Sequence, residues 1–249
     1  MEENRDLWNE WSDAFQGAWN ADTADGLPPA DVHYGPGWPE GERLDHLPGF
    51  EGRDVAELGC GGGQASVGFA RRGAASVAGV DLSTRQLEHA RRLAGLYGVD
   101  VEFLAGDVTD LPFAADRFDL AFSSWVFQMV EDLEACFAEA ARVLRGGGTL
   151  FFAMPHPFYE LFDPETGEID RSYFDSEPEC KSIGDLDPDL VVFHHRAGEI
   201  HRGLVDAGFV VDRLFEPGAD DPDEYEEQWS HKPELMAKVP PTLAVRAVV

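Results

Sequence analysis

A chain of 249 residues with 48 acidic against 19 basic side chains carries a formal net charge of -29. Such a field repels phosphate backbones and disfavours a nucleic-acid partner. At 43% hydrophobic the chain can build a substantial core, yet no apolar run is long enough to span a bilayer, which argues against a membrane protein.

Of the basic residues only Lys181, Lys232 and Lys238 are lysine. An acidic, lysine-poor surface stays solvated in concentrated salt and points to a halophilic source. Cys60, Cys136 and Cys180 are odd in number and far apart, with neither a disulfide framework nor a metal-ligand spacing, so no metal is expected. They fit a reducing cytoplasm, and the polar, acidic start of the chain does not read as a signal peptide.

In chain order, Leu7, Trp8, Trp11, Phe15, Ala18 and Trp19 share one face of a helix over Asn4–Trp19. Core packing is the simpler use of that face; a lid over a ligand is the other. Residues 21–49 are rich in Pro, Gly and Asp and read as a loop in which His33 to Pro39 sets aromatics between turn formers. A strand is expected at Asp54–Leu58 and a helix at Gly63–Arg72, then a strand at Ser76–Val80 ending in Asp81. Ser83 reads as the N-cap of a helix to Tyr97 that Gly98 closes. Further strands are expected at Val101–Ala105, Phe118–Ser123 and Thr149–Met154, with a helix at Glu131–Leu144 and a turn at Gly146–Gly148. Pro155–Leu190 breaks this alternation with a long, acidic, aromatic segment. A helix at Glu199–Ala207 and strands at Phe209–Phe215 and Leu243–Val249 follow, with an acidic loop at Gly218–Gln228 between those strands. Alternating strands and helices imply an α/β fold with a mostly parallel sheet covered on both faces, and a ligand beyond the carboxyl ends of the strands.

Those carboxyl ends carry Glu57 and Gly59, Asp81, Asp107, Ser123 and Ser124, and His156. Between Val55 and Gly63 the run Val-Ala-Glu-Leu-Gly-Cys-Gly-Gly-Gly is a buried strand, a turn nearly free of side chains, and a helix start. Such a turn lets a ligand touch backbone N–H groups directly. A dinucleotide fingerprint needs Gly or Ala at its sixth position; counting from Gly59 gives Gln64 and from Gly61 gives Ser66. The fitting frame is Glu57-x-Gly59-x-Gly61-x-Gly63. Asp81, about twenty residues on, stands where a carboxylate accepts two ribose hydroxyls, and Asp107 stands where it accepts an adenine amino group. Alone, each Asp is more simply a turn former.

Together these positions resemble class I S-adenosylmethionine-dependent methyltransferases. The resemblance implies a Rossmann-like fold with a seven-stranded sheet whose last strand is antiparallel, and S-adenosyl-L-methionine as cofactor. It implies contacts from Glu57, Gly59 and Gly61 to the methionine part, from Asp81 to the ribose and from Asp107 and Val108 to the adenine, with Cys60, Leu82 and Ser123 also at the cofactor. It implies a single domain: an N-terminal lid helix and loop over 1–50, the cofactor core over 51–154, a substrate-lid insertion over 155–195, and a closing helix and strands over 196–249. Tyr34-Gly35-Pro36-Gly37, His156-Pro157, Arg171-Ser172-Tyr173-Phe174, His194-His195-Arg196, Glu216-Pro217 and Gln228-Trp229-Ser230 are similar to a group of small-molecule methyltransferases from actinobacteria and halophilic archaea.

Methyl transfer from a sulfonium needs alignment rather than a protein nucleophile. A hydroxyl acceptor benefits from a base, for which His is suited near neutral pH. His156, at the strand end, and His195 are the candidates, with His194 on the opposite side of an extended segment. Tyr159, Tyr173 and Trp125 are pocket-wall candidates; for Trp125 core packing is the simpler role. A small-molecule substrate is therefore expected. The alternatives are a non-catalytic protein that binds S-adenosylmethionine and an NAD(P)-dependent oxidoreductase, which the glycine spacing disfavours.

Overall fold

The structure, a computed structural model, describes residues 2–20, 27–38, 46–163, 165–225 and 231–249. Pro39 and the Gln228-Trp229-Ser230 segment lie outside the described residues, as does the end of the acidic loop. The elements in order are α1 (Glu2–Trp19), β1 (Asp54–Leu58), α2 (Gln64–Arg71), β2 (Ser76–Asp81), α3 (Thr84–Tyr97), β3 (Glu102–Ala105) and β4 (Phe118–Ser124). Then follow α4 (Leu133–Val143), β5 (Leu144–Pro155), β6 (Glu179–Lys181), β7 (Leu190–Val192), α5 (Ala197–Asp206), β8 (Val210–Phe215), α6 (Pro233–Met236) and β9 (Thr242–Val248).

Seven strands form one sheet in the order β3-β2-β1-β4-β5-β9-β8, with β9 antiparallel to both neighbours. The chain runs outward from β1 through β2 to β3, then returns to lay β4 on the other flank of β1. The order reverses between β1 and β4, the place beyond the strand ends where sheets of this kind take their ligands. Strands β1 and β4 are buried almost throughout because helices cover both faces of the sheet. One core, around Phe137, Phe152 and Leu204, lies on one face; two others, around Phe69 with Phe122 and around Leu87 with Phe103, lie on the other.

Local chemistry sets the boundaries. The Ser83 hydroxyl accepts from Gln86 N–H at 3.0 Å and Gly98, at φ 64°, closes α3. The Asp132 carboxylate caps α4 by accepting from Ala135 N–H at 2.9 Å, so that helix starts two residues later than its apolar pattern implies. The Gly146–Gly148 turn is instead part of β5: Phe118 pairs with Leu144 but Leu120 with Thr149, so the glycines loop out of a continuous strand as a bulge. The 155–190 segment holds an antiparallel pair, β6 with β7, tied down by Arg171 to Glu179 at 3.0 Å and Lys181 to Glu160 at 3.8 Å.

The N-terminal helix departs most from its simpler reading. Its buried residues are Asn4, Leu7, Ser12 and Gln16, three of them polar, whereas Trp8, Trp11, Phe15 and Trp19 are only half-buried. Core packing was the expected use of that aromatic face, but the rings pack on one another in succession instead. Among the described residues no helix is long and apolar enough to cross a membrane.

Phe137 is fully buried between Phe127 and Phe152, at 5.7 and 5.6 Å between ring centroids, and backs onto Gly203 of α5. Phe137→Ala is expected to cost about 3–5 kcal/mol in urea unfolding. Truncating the exposed Leu96 is expected to stay within about 0.5 kcal/mol.

Candidate cofactor and acceptor site

The turn from β1 into α2 is built on three left-handed glycines, Gly59, Gly61 and Gly63, at φ 74°, 48° and 80°. Gly59 and Cys60 both donate their N–H to the Val80 carbonyl, at 2.8 and 2.9 Å, so the turn hangs on the end of β2. The glycines do different work. A Cβ on Gly59 would lie 2.3 Å from Val126 and one on Gly63 would lie 2.8 Å from Ala90, so both are packing requirements. A Cβ on Gly61 would meet nothing nearer than Gln86 Oε1 at 3.9 Å. Gly61 is therefore the position where a ligand can approach the backbone. Cys60 turns the other way: a Cβ on Gly79 would sit 2.9 Å from its sulfur, and burial raises its thiol pKa. It is a small core residue beneath the turn.

Asp81 joins the parts. One of its carboxylate oxygens accepts from Gly61 N–H and the other from Ser83 N–H, each at 2.8 Å. A carboxylate has about four lone-pair sites, so capacity remains for ligand hydroxyls. Part of the residue's surface stays open, yet its carboxylate is enclosed enough for burial to raise its pKa. Leu82 beside it is half-buried.

Glu57 points into the protein. It accepts from Ser66 N–H at 2.7 Å and from the Ser66 hydroxyl, which locks the first turn of α2. Burial drives its pKa up to about 8 while the Ser66 donors oppose the rise. Asp107 accepts from Thr109 N–H at 2.9 Å and from its hydroxyl at 2.8 Å, forming a tight turn after β3, and Val108 is buried against the core. Ser123 donates to the Leu58 carbonyl at 2.8 Å and ties β4 to β1 at the point where the sheet order reverses.

A family model described as a methyltransferase domain matches residues 56–152, the stretch that carries all of these positions. The sheet order and strand directions around that stretch are those of the Rossmann-like fold of class I methyltransferases. An S-adenosylmethionine-dependent methyltransferase from Mesorhizobium loti is 28% identical, with a TM-score of 0.66 over 82% of this chain and 94% of that one. A geranyl diphosphate C-methyltransferase from Streptomyces coelicolor, solved with S-adenosyl-L-homocysteine, shares the fold at TM-score 0.63 and 19% identity over 96% of this chain and 98% of that one. A ubiquinone biosynthesis O-methyltransferase from Neisseria meningitidis is 36% identical over 116 residues, 45% of this chain, which spans 49% of that protein's length. S-adenosylmethionine is the cofactor. The chain's residues fit it: an open glycine backbone at Gly61, spare acceptor capacity on Asp81, and an α2 amino terminus without a side-chain cap at Gly63.

Around the methyltransferase domain the remaining candidates separate. Both ring nitrogens of His156 are engaged, Nδ1 by Phe158 N–H at 3.1 Å and Nε2 by Glu216 at 2.9 Å. His195 Nε2 lies 2.7 Å from the Val130 carbonyl, an acceptor, which places the proton on Nε2 and leaves Nδ1 as the basic nitrogen. Burial holds its pKa below the usual histidine range. His194 takes the opposite side of that strand-like segment and meets the Tyr173 ring edge-on at 5.5 Å. Trp125, at the end of β4, adopts φ 58°, a costly conformation for a bulky residue. Its indole N–H donates to the Tyr34 carbonyl at 3.1 Å and its ring lies against Gly35, where a Cβ would be 1.8 Å away. That contact explains the Tyr34-Gly35 pair.

Sequence reasoning missed the amides. Gln64 donates to Gln16 at 2.7 Å and Gln16 to Gln86 at 2.8 Å, and Gln16 lies directly over Gly62. Gln128, just after β4, donates to the Trp125 carbonyl at 2.8 Å, while its Oε1 is buried without a partner among the described residues. Only position, not residue type, marks these glutamines. An open pocket of about 400 Å³ lined by Phe50, Arg53 and Arg72 lies at the amino ends of the strands, on the side away from this row.

Two outcomes check this geometry. Gly61→Ala is expected to fold and to weaken S-adenosylhomocysteine binding about tenfold or more by calorimetry, whereas Gly59→Ala is expected to lose about 1–3 kcal/mol of stability through overpacking. Because Glu57 is protonated more readily in the folded state than unfolded, the native state holds the extra proton between the two pKa values. Its contribution to stability falls as pH rises from roughly 4.5 toward 8, and Glu57→Gln is expected to remove that part of the slope in denaturation series.

Proposed function

We propose that the chain is a methyltransferase acting on a small-molecule acceptor, in the cytoplasm of a halophilic cell. The Asp81 carboxylate, which holds the Gly61 N–H and keeps spare acceptor capacity beside the uncrowded Gly61 backbone at the carboxyl ends of β1 and β2, carries the reading. The cofactor supplies an electrophilic methyl carbon when bound. The glycine turn and Asp81 would hold it in one orientation, so that an acceptor could be aligned on the methyl carbon.

The acceptor's proton then needs a base. His195 is proposed for that role, since the Val130 carbonyl holds its tautomer and its lowered pKa keeps it neutral. His156 is proposed to order the loop after β5 through Glu216 and, on loss of that contact, to act as an alternative base. The net charge of -29 supports an acceptor other than nucleic acid.

Supplied with S-adenosylmethionine carrying a labelled methyl group, in molar potassium chloride, the protein is expected to label acceptors from a small-molecule panel and leave transfer RNA unlabelled. Labelled RNA, or no transfer to any small acceptor by folded protein that binds the cofactor, contradicts the proposal. With His195 as base, the acid limb of kcat lies below pH 6.5 and His195→Ala abolishes it. An unchanged profile removes His195 from the mechanism.

A further inference from the structure

The start of α3 carries a Ser-x-x-Gln pattern at Ser83 and Gln86. In such a capping box the glutamine side chain accepts from the N-cap N–H. Here Asp81 has taken that N–H, at 2.8 Å, while the Ser83 hydroxyl still accepts from Gln86 N–H at 3.0 Å. The Gln86 side chain is thereby released from the cap and extends to the glycine turn. Gln86 is 2% exposed, and its Oε1 is the nearest atom to the place where a Gly61 Cβ would stand, at 3.9 Å. Its amide therefore borders the open face of Gly61. Asp81 borders it as well, accepting from Gly61 N–H at 2.8 Å.

An amide side chain has an acceptor end and a donor end. Gln86 Oε1 accepts from Gln16 Nε2 at 2.8 Å, and Gln16 Oε1 accepts from Gln64 Nε2 at 2.7 Å. That order leaves Gln86 Nε2 as the free end of the relay, and it makes no hydrogen bond among the described residues. An enclosed donor without an acceptor costs about 1–3 kcal/mol, which a ligand that accepts from it would recover. Gln16 is held in turn. Asn9, Asp13 and Gln16 fall on one stripe of α1, and each meets the start of α3. The Ser83 hydroxyl donates to Asn9 Oδ1 at 2.9 Å, Asp13 pairs with Arg85 at 2.8 Å, and Gln16 meets Gln86. A Cβ on Gly62 would lie 2.4 Å from Gln16 Nε2, so that glycine makes the room the Gln16 side chain needs.

A ligand group that fits both Asp81 and Gln86 must donate to a carboxylate and accept from an amide. A hydroxyl does both. An ammonium offers no lone pair to Gln86, and a carboxylate is repelled by Asp81. We propose that Gln86 is a cofactor-contact residue whose amide donates to a ribose hydroxyl of S-adenosylmethionine while that hydroxyl donates to Asp81, and that Gln16 is the positioning residue that presents the donor end. The inference rests on the cofactor being held at the Gly61–Asp81 unit. It adds a specificity to that site: the pair reads an intact ribose, and α1, through Gln16, sets how strictly it does so.

The test titrates the full chain by calorimetry, in molar potassium chloride, with S-adenosylhomocysteine and with its 2′-deoxy and 3′-deoxy analogues. Gln86→Met keeps the side-chain length and removes the donor. It is expected to weaken S-adenosylhomocysteine binding about tenfold and to leave the analogue that lacks the contacted hydroxyl within about twofold of its affinity for the unaltered protein. That retained affinity also shows that the variant folds. Gln86→Leu is the second variant, with the same selective loss expected. Gln16→Met is expected to weaken S-adenosylhomocysteine about threefold, to spare the same analogue, and to add less than about twofold when combined with Gln86→Met. Equal losses for all three ligands in the Gln86 variants, or no loss, overturn the contact. A loss from Gln16→Met that is undiminished in the Gln86→Met background overturns the positioning role. Failure of the unaltered protein to bind S-adenosylhomocysteine overturns instead the cofactor reading on which both rest.

Discussion

The structure depends on how the β1–α2 turn is hung from the neighbouring strand. Two successive N–H groups, Gly59 and Cys60, share the Val80 carbonyl, and the next accessible one, Gly61, is taken by Asp81. A turn of left-handed residues packed against Val126 and Ala90 tolerates almost no side chains, so glycine is forced at two positions by crowding and left at a third facing open space. Because Asp81 also accepts from Ser83 N–H, the same carboxylate that ends β2 sets the start of α3. The glycine turn, Asp81 and the start of α3 are one hydrogen-bonded unit. A ligand that binds there meets groups already held in place, and little ordering entropy is left to lose on binding.

The charge of the chain is arranged around that unit rather than in it. Arginine, which makes up most of the basic residues, clamps carboxylates where strands begin: Arg145 lies 2.9 Å from both Asp54 and Asp119 at the amino ends of β1 and β4. Exposed pairs of this kind contribute little singly, and high salt screens them further. The apolar cores on the two faces of the sheet therefore carry the stability, and the carboxylate surface carries solubility. At the carboxyl ends of β1 and β2 the acids are of another sort, enclosed and hydrogen-bonded by backbone.

Much of this was legible in the amino-acid order. Strands Asp54–Leu58 and Ser76–Asp81, the Ser83 cap and the Gly98 stop follow from apolar runs and capping chemistry, which are local. The glycine frame and its downstream acids lead to the methyltransferase domain for the same reason. Three things were hidden. Strands β6 and β7 are three residues each, set in a polar run, and gain their identity from pairing with each other and from Asn4, distant in sequence. Gly146–Gly148 looks like a turn and is a bulge, because pairing of β4 with β5 resumes beyond it. The aromatic stripe of α1 shows which side of the helix faces inward. The contacts that seat that side are polar, Asn4 on Val191 and Gln16 on Gln86, both distant in sequence, and no periodicity encodes them.

The most direct test of the account is a calorimetric titration of the purified chain with S-adenosylhomocysteine in molar potassium chloride, with NADH as the comparison. Micromolar binding of the first alone, about -8 kcal/mol, is the expected result. It would establish that the chain binds an S-adenosyl thioether nucleoside in preference to a dinucleotide, as the Gly61–Asp81 geometry requires. No binding to folded protein, or binding of NADH in its place, would contradict the account at its centre.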